Sequence, residues 1–152
     1  MHHPFFTVFI GFIASVCLMG SAIPQTPGSP SGDGSLAAPK DLSCPQASNC
    51  VNSLSGSGLL PLRYAGEPAQ GMALLLTILA SYPEARVVSS GPLRLQAIFT
   101  TPLGFKDQVD FVVEEQTNQI AYRSRSLLGI FDFGKNRSRM TDFTQRFAAG
   151  AR

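Results

Sequence analysis

From Pro4 to the C-terminus the sequence contains no histidine; the two it has are His2 and His3. A Ser-His-Asp or Cys-His hydrolase and any histidine-ligated metal site are therefore excluded downstream. Charge is scarce as well. Charged residues make up 14% of the 152, and the formal net charge is +2. That balance does not suit a nucleic-acid binder, which needs a dense cationic face against phosphates. No glycine-rich phosphate loop of the Walker or dinucleotide type occurs. Lysine is confined to Lys40, Lys106 and Lys135, none with an obvious partner. Acid–base catalysis would have to rest on carboxylates, a lysine or a tyrosine. No metal, no cofactor and no catalytic residue is assigned.

Cysteine is limited to Cys17, Cys44 and Cys50. Cys17 lies in an apolar run, Phe5 to Met19 (FFTVFIGFIASVCLM), within an uncharged stretch that extends from Met1 to Ile23. The run is shorter than the ~20 residues of a comfortable transmembrane span. Small residues follow at Gly20, Ser21 and Ala22, which suits signal-peptidase cleavage after Ala22. Residues 1–22 read as a cleaved signal peptide or, alternatively, an uncleaved membrane anchor. A lipoprotein reading through Cys17 meets a poor lipobox in Ala-Ser-Val. The two other cysteines, with five residues between them, agree with export, where an even pair most simply forms a disulfide. Closing so short a loop contributes roughly 2 kcal/mol. A redox-active pair remains the alternative, and the spacing is not one of zinc.

Residues 23–41 are rich in Pro, Gly and Ser and lack hydrophobic periodicity. They read as a flexible linker, so a single domain is expected over 42–152. Within it, Leu59 to Leu62 should be extended and packed on the core. Pro68 opens a helix, a favoured first-turn position. Met72, Leu75, Leu76 and Leu79 follow at helical spacing, and Tyr82-Pro83 stops it. Arg86–Ser89 is strand-like, and Leu93–Thr101, Val109–Glu114 and Ile120–Arg125 alternate apolar and polar residues like half-buried strands. Gly91-Pro92, Pro102–Gly104 and Gln116–Gln119 supply the turns. A closing helix from about Asn136 to Ala148 carries Met140, Phe143 and Phe147 as one stripe, capped by Asp132 or Asn136. The expected class is α+β: an antiparallel meander of three to four strands with two helices packed on one face.

Charge is unevenly placed. From Arg123 to Arg152 seven Lys/Arg stand against Asp132 and Asp142, a local net of +5. This stretch puts Arg123, Arg125, Asp132, Asn136, Arg137 and Arg139 on a strand end, a loop punctuated by Gly129 and Gly134, and a helix start. Asp110 on the neighbouring strand pairs with Arg123 if the register permits. One reading is a salt-bridge and capping network that holds loop to sheet. The sharper one is an anion site for a carboxylate, phosphate or lipid headgroup, read by arginine forks beside a helix N-terminus. Arg137 is central to either.

Several short motifs add to this. Cys44-Pro45, Asn49-Cys50-Val51 with Ser53, Pro61-Leu62, Asp107-Gln108-Val109-Asp110-Phe111, Arg123-Ser124, Gly129, Asp132, Gly134 and Asn136-Arg137 stand in an order and spacing that resembles the domain-of-unknown-function family 1499. The resemblance runs from about Leu42 to Phe147. The family occurs in bacteria, photosynthetic ones included, and in plastids. Two departures stand out: Gln108 replaces a second acidic residue, and Arg125-Ser126-Leu127 replaces a small residue, Ser and Arg. The resemblance implies no activity.

These observations lead to an exported, non-catalytic domain of the periplasm or thylakoid lumen. Its expected partner is a protein or a small anionic or lipid ligand, with membrane association through the N-terminal segment. An enzyme using Asp110 and Asp132 as paired acids is the alternative.

Overall fold

The computed structural model describes residues 42–54 and 56–151. The targeting or anchoring segment, 1–22, and the linker, 23–41, lie outside the described residues. Eight elements follow in order: β1 (Cys50–Asn52), β2 (Leu62–Arg63), α1 (Pro68–Ala80), β3 (Ala85–Ser90), β4 (Arg94–Thr100), β5 (Lys106–Glu114), β6 (Gln119–Ser126) and α2 (Lys135–Gly150).

The class is α+β, as the pattern predicts, but the sheet has six strands rather than three or four. β3, β4, β5 and β6 form the expected antiparallel meander in sequence order. The two added strands, β1 and β2, both pair with β6 on its free side, Val51 opposite Ser124 and Leu62 opposite Ile120. They are three and two residues long. Segments that short show no alternation in a sequence, and they pair only because β6 is long enough to offer an edge to both.

Both helices lie on one face. Met72, Leu75 and Leu79 of α1 join Met140, Phe143 and Phe147 of α2 in a single core. Opposite them are Leu95, Ala97, Phe99, Val109, Phe111, Val113, Ile120 and Tyr122, the inward members of each alternation. Burying each such large side chain contributes about 1.5–3 kcal/mol. Leu62 joins this core, so the 59–62 segment packs as expected. α1 begins at Pro68, with the Gln70 side chain accepting from the Glu67 N–H at 2.8 Å. It can approach the 62–64 segment because Gly71 has no side chain; a Cβ there would meet the Tyr64 ring at 2.8 Å. Tyr82, just past the helix, stacks on Phe143 and meets Phe99 edge-on. Burial, then the hydrogen bond it donates to Asp142, raises its hydroxyl pKa.

The other face is polar and partly open. Leu42 packs there over Val112 and Ala121, with Leu54 against them. Cys44 and Cys50 form a disulfide, which joins this entering segment to β1. Among the described residues, no helix is long and apolar enough to cross a membrane, and no cluster of His, Cys, Asp or Glu is placed to hold a metal ion.

Candidate functional site

The arginine-rich stretch is contiguous in sequence but not in space. A strand sends successive side chains to opposite faces. β6 therefore delivers Ser124 and Ser126 to the helix side, and Arg123 and Arg125 to the open side. Two separate polar constructions result.

On the helix side, Asp107 and Arg139 form a buried ion pair, Arg139 Nη2 to Asp107 Oδ2 at 2.6 Å. The side chains are 4% and 6% exposed, so this pair is desolvated and has to be satisfied internally. It is. Ser126 Oγ donates to the other Asp107 oxygen at 2.6 Å. Arg139 Nη1 donates to Asn136 Oδ1 at 3.0 Å, and its guanidinium lies 4.8 Å from the Phe99 ring centre. Asn136 is fully buried at the centre of the network. Its Oδ1 also accepts from Ser124 Oγ, and its Nδ2 donates to the Asn49 carbonyl, Ser126 Oγ and Asp132 Oδ2.

Asp132 caps α2 from two residues before the N-cap position. One carboxylate oxygen accepts from the Gly134 N–H, the other from the Asn136 N–H at 2.8 Å. Gly134, at φ 75°, makes the turn that brings them together. Asn49 ties in the far side: its Nδ2 donates to the Gly129 carbonyl at 2.6 Å. The loop from 127 to 134 is thus tied by hydrogen bonds to Ser48 and Asn49 before β1, to Lys106 of β5 and to Asn136 of α2.

On the open side, Asp110 stands directly opposite Arg123 in the ladder. Arg123 Nη2 and Nε both donate to Asp110 Oδ2, at 2.7 and 3.2 Å, and Nη1 donates to the Ser43 carbonyl at 3.0 Å. Gln96 and Gln108 donate to Asp110 Oδ1 at 2.8 and 2.7 Å. Gln108 in turn accepts from Arg125 at 3.2 Å. Burial acts to raise the Asp110 pKa, but the hydrogen bonds from Gln96, Arg123 and Gln108 outweigh it and hold the carboxyl below its ordinary value. Above these groups is a cleft of about 550 Å³, lined by Leu42, Ser43, Arg94, Gln96, Asp110 and Arg123 among others.

Arg137 belongs to neither group. It is exposed on α2 and donates to the Ser57 carbonyl at 2.8 Å. It stands only two residues before Arg139, which the helix turns to the opposite side and the fold buries. Asp110 and Asp132 are on opposite faces of the sheet, with their oxygens occupied by donors. Asp107, Ser124 and Asn49 were legible only indirectly. Asp107 occupies the inward register of Val109, Phe111 and Val113, where a carboxylate breaks the apolar alternation and marks a buried partner.

The low Asp110 pKa has a defined consequence. The unfolded carboxyl titrates near 3.8 and the folded one below it. Its contribution to stability is then fully present above 3.8 and lost as pH falls through the folded value. Unfolding midpoints in urea, measured from about pH 5 to pH 2, should fall less steeply for Asp110→Asn than for the native chain. Parallel profiles would show that Asp110 titrates normally.

A six-stranded antiparallel sheet with two helices on one face, a disulfide at its entry and a buried Asp–Arg–Asn network under a loop define a small α+β domain. The chain belongs to the family described as Protein of unknown function (DUF1499), whose model matches residues 42–147. The match begins at Leu42, the residue packed on the open face, and ends at Phe147, the last core residue of α2. No curated protein shows detectable similarity to the chain.

Proposed function

We propose that the chain is an exported, non-catalytic domain of the periplasm or thylakoid lumen, and that it binds a small anionic ligand in the open-face cleft. The observation that carries this reading is the charge of the cleft. Arg94 and Arg123 line it, Arg125 lies beside Gln108 at its edge, and Asp110 opposes them. A concave polar surface that carries guanidinium groups suits a carboxylate, a phosphate or a lipid headgroup. Gln96 and Gln108 hold Asp110 and leave it ionised, which keeps Arg123 fixed rather than free to swing. Export is supported by the Phe5–Met19 run and by the Cys44–Cys50 disulfide, a bond that persists in oxidising compartments. The paired-acid enzyme has no support in the geometry, because Asp110 and Asp132 share no face.

The test is calorimetry of the full chain with inorganic phosphate and with glycerol 3-phosphate at low ionic strength. Binding that weakens with salt and drops about tenfold in Arg94→Ala, while Arg146→Ala on α2 behaves as the native chain, is the expected result. No heat with either probe overturns the cleft as an anion site. The mass of the protein isolated from its own cells reports the export half, since cleavage after Ala22 leaves Ile23 first.

A further inference from the structure

Two loops meet at one end of the sheet. The turn joining β4 to β5 and the loop joining β6 to α2 are neighbours because Thr100 pairs with Lys106 and Asp107 pairs with Ser126. A hydrogen bond from the Leu127 N–H to the Lys106 carbonyl links them at 2.9 Å. Their side chains are large, apolar and turned outward. Leu103, Phe105, Leu128, Ile130, Phe131 and Phe133 range from 55% exposed at Phe105 to 90% at Phe133. Scattered single apolar residues on a surface are ordinary; a contiguous cap of this kind marks an interaction site.

We infer that this apolar cap docks on the surface of an anionic lipid bilayer. Three observations bear on the occupant. The first is the make-up of the cap, two adjacent tips of exposed apolar side chains with a hollow of about 180 Å³ between them lined by Phe105, Leu128, Phe131 and Phe133. Its backbone is satisfied from within only in part. Thr101 N–H donates to the Phe105 carbonyl, Gly104 N–H to the Thr101 carbonyl and Phe105 N–H to Thr101 Oγ1. The Gly129 and Ile130 carbonyls accept from Asn49 and Ser48, and the Asp132 N–H donates to the Ser48 carbonyl. Hydrocarbon offers backbone groups no partners, so the tips suit the hydrated headgroup layer, where the remaining groups keep water.

Charge is the third observation. Lys106 and Lys135 are exposed at the roots of the two tips, although Glu84 borders Lys135 on the β3 side. The acids nearest the tips are turned inward, Asp132 onto the start of α2 and Asp107 onto Arg139. Apolar tips above a cationic rim match the acyl and headgroup layers of an anionic leaflet. Phe133 adds a detail: its φ of 54° is in the left-handed region, which disfavours side chains, yet the ring is held against Phe131 at 5.0 Å and pointed into solvent.

The chain has no tryptophan, so a single introduced one reports its own surroundings. In the full chain, Phe133→Trp and Leu128→Trp are added separately to vesicles of phosphatidylcholine and phosphatidylglycerol. Val88→Trp, on the edge strand β3, is the control. Both loop probes should shift to shorter emission wavelength and be quenched by brominated acyl chains, with the control unchanged. Because the readout is local, attachment of the chain through Phe5–Met19 does not mimic it. Lys106→Glu with Lys135→Glu should weaken the response about tenfold. Circular dichroism checks each fold, and the second loop probe keeps the test decisive if one variant fails. Loop probes that stay solvent-exposed on vesicle-bound chains overturn the inference. A shift that precedes lipid and grows with protein concentration also overturns it, and assigns the cap to a second copy of the chain. The cap and the open-face cleft are separate surfaces, so Arg94→Ala should leave the lipid signal intact.

Discussion

Asp107→Ala is expected to lower the unfolding free energy by about 3–5 kcal/mol, among the largest effects available to a single substitution in this domain. The cost does not come from losing an attractive pair as such. It comes from leaving the Arg139 guanidinium buried with no counter-charge, in a place where water cannot reach it. Ser126 Oγ loses its acceptor at the same time. The diagnostic comparison is therefore a double variant. Asp107→Leu with Arg139→Met removes both charges and returns apolar volume to a site already bounded by the Phe99 ring. It should recover at least half of the loss, because a buried ion pair and a well-packed apolar pair are close in free energy. Urea unfolding near neutral pH measures all the variants. A cost below about 1 kcal/mol for Asp107→Ala would mean that solvent reaches the pair.

The second large effect belongs to Asn136. Asn136→Leu keeps the approximate volume and removes every polar contact of the side chain. The Asn49 carbonyl, Ser126 Oγ and Asp132 Oδ2 lose a donor, while Ser124 Oγ and Arg139 Nη1 lose an acceptor. Unsatisfied buried groups cost about 1–3 kcal/mol each, and partial relaxation should hold the total near 3 kcal/mol. Asn136→Asp is the sharper control. It keeps the acceptor for Ser124 and Arg139 but sets a carboxylate against Asp132, so it should also destabilise the chain. Hydrogen exchange gives the local readout: the Gly134 amide, held by Asp132, should lose protection more than the amides of β4. Equal loss across the domain would show that the network supports the whole core rather than the loop.

These effects bear on the proposed docking surface because the network is the base of the apolar cap. Exposed apolar side chains on an unrestrained loop would collapse onto the nearest surface, as the hydrophobic effect favours. Here the loop carrying Leu128, Ile130, Phe131 and Phe133 is fastened by Asn49, Asp132 and Asn136. Stability is invested in keeping those side chains outward.

Much of the architecture was legible in the order of residues. The alternations in β4, β5 and β6 have a period of two and name their inward faces. Met140, Phe143 and Phe147 do the same for α2, and Pro68 and Pro83 frame α1. The Asp110–Arg123 pair was legible as a possibility, since two adjacent meander strands with a short turn allow few registers. Three features were not legible. β1 and β2 are too short to show a period. Arg137 and Arg139 look equivalent in sequence, although only one faces the sheet. The apolar residues of 127–133 stand in a stretch legible only as a Gly-punctuated loop, because nothing local says whether a loop side chain faces in or out.

The sequence by itself determined the layers, the meander and the choice of residue types, because side-chain period and turn chemistry are local properties that short segments carry alone. Only the tertiary structure decided which of those residues meet. Strand register and the side-to-side alternation of β6 divided one arginine-rich stretch into a buried network and an open cleft. The closeness of two sheet ends turned two unremarkable loops into one apolar cap. Such pairings depend on contacts between residues far apart in the chain, and no local pattern encodes the distance between them.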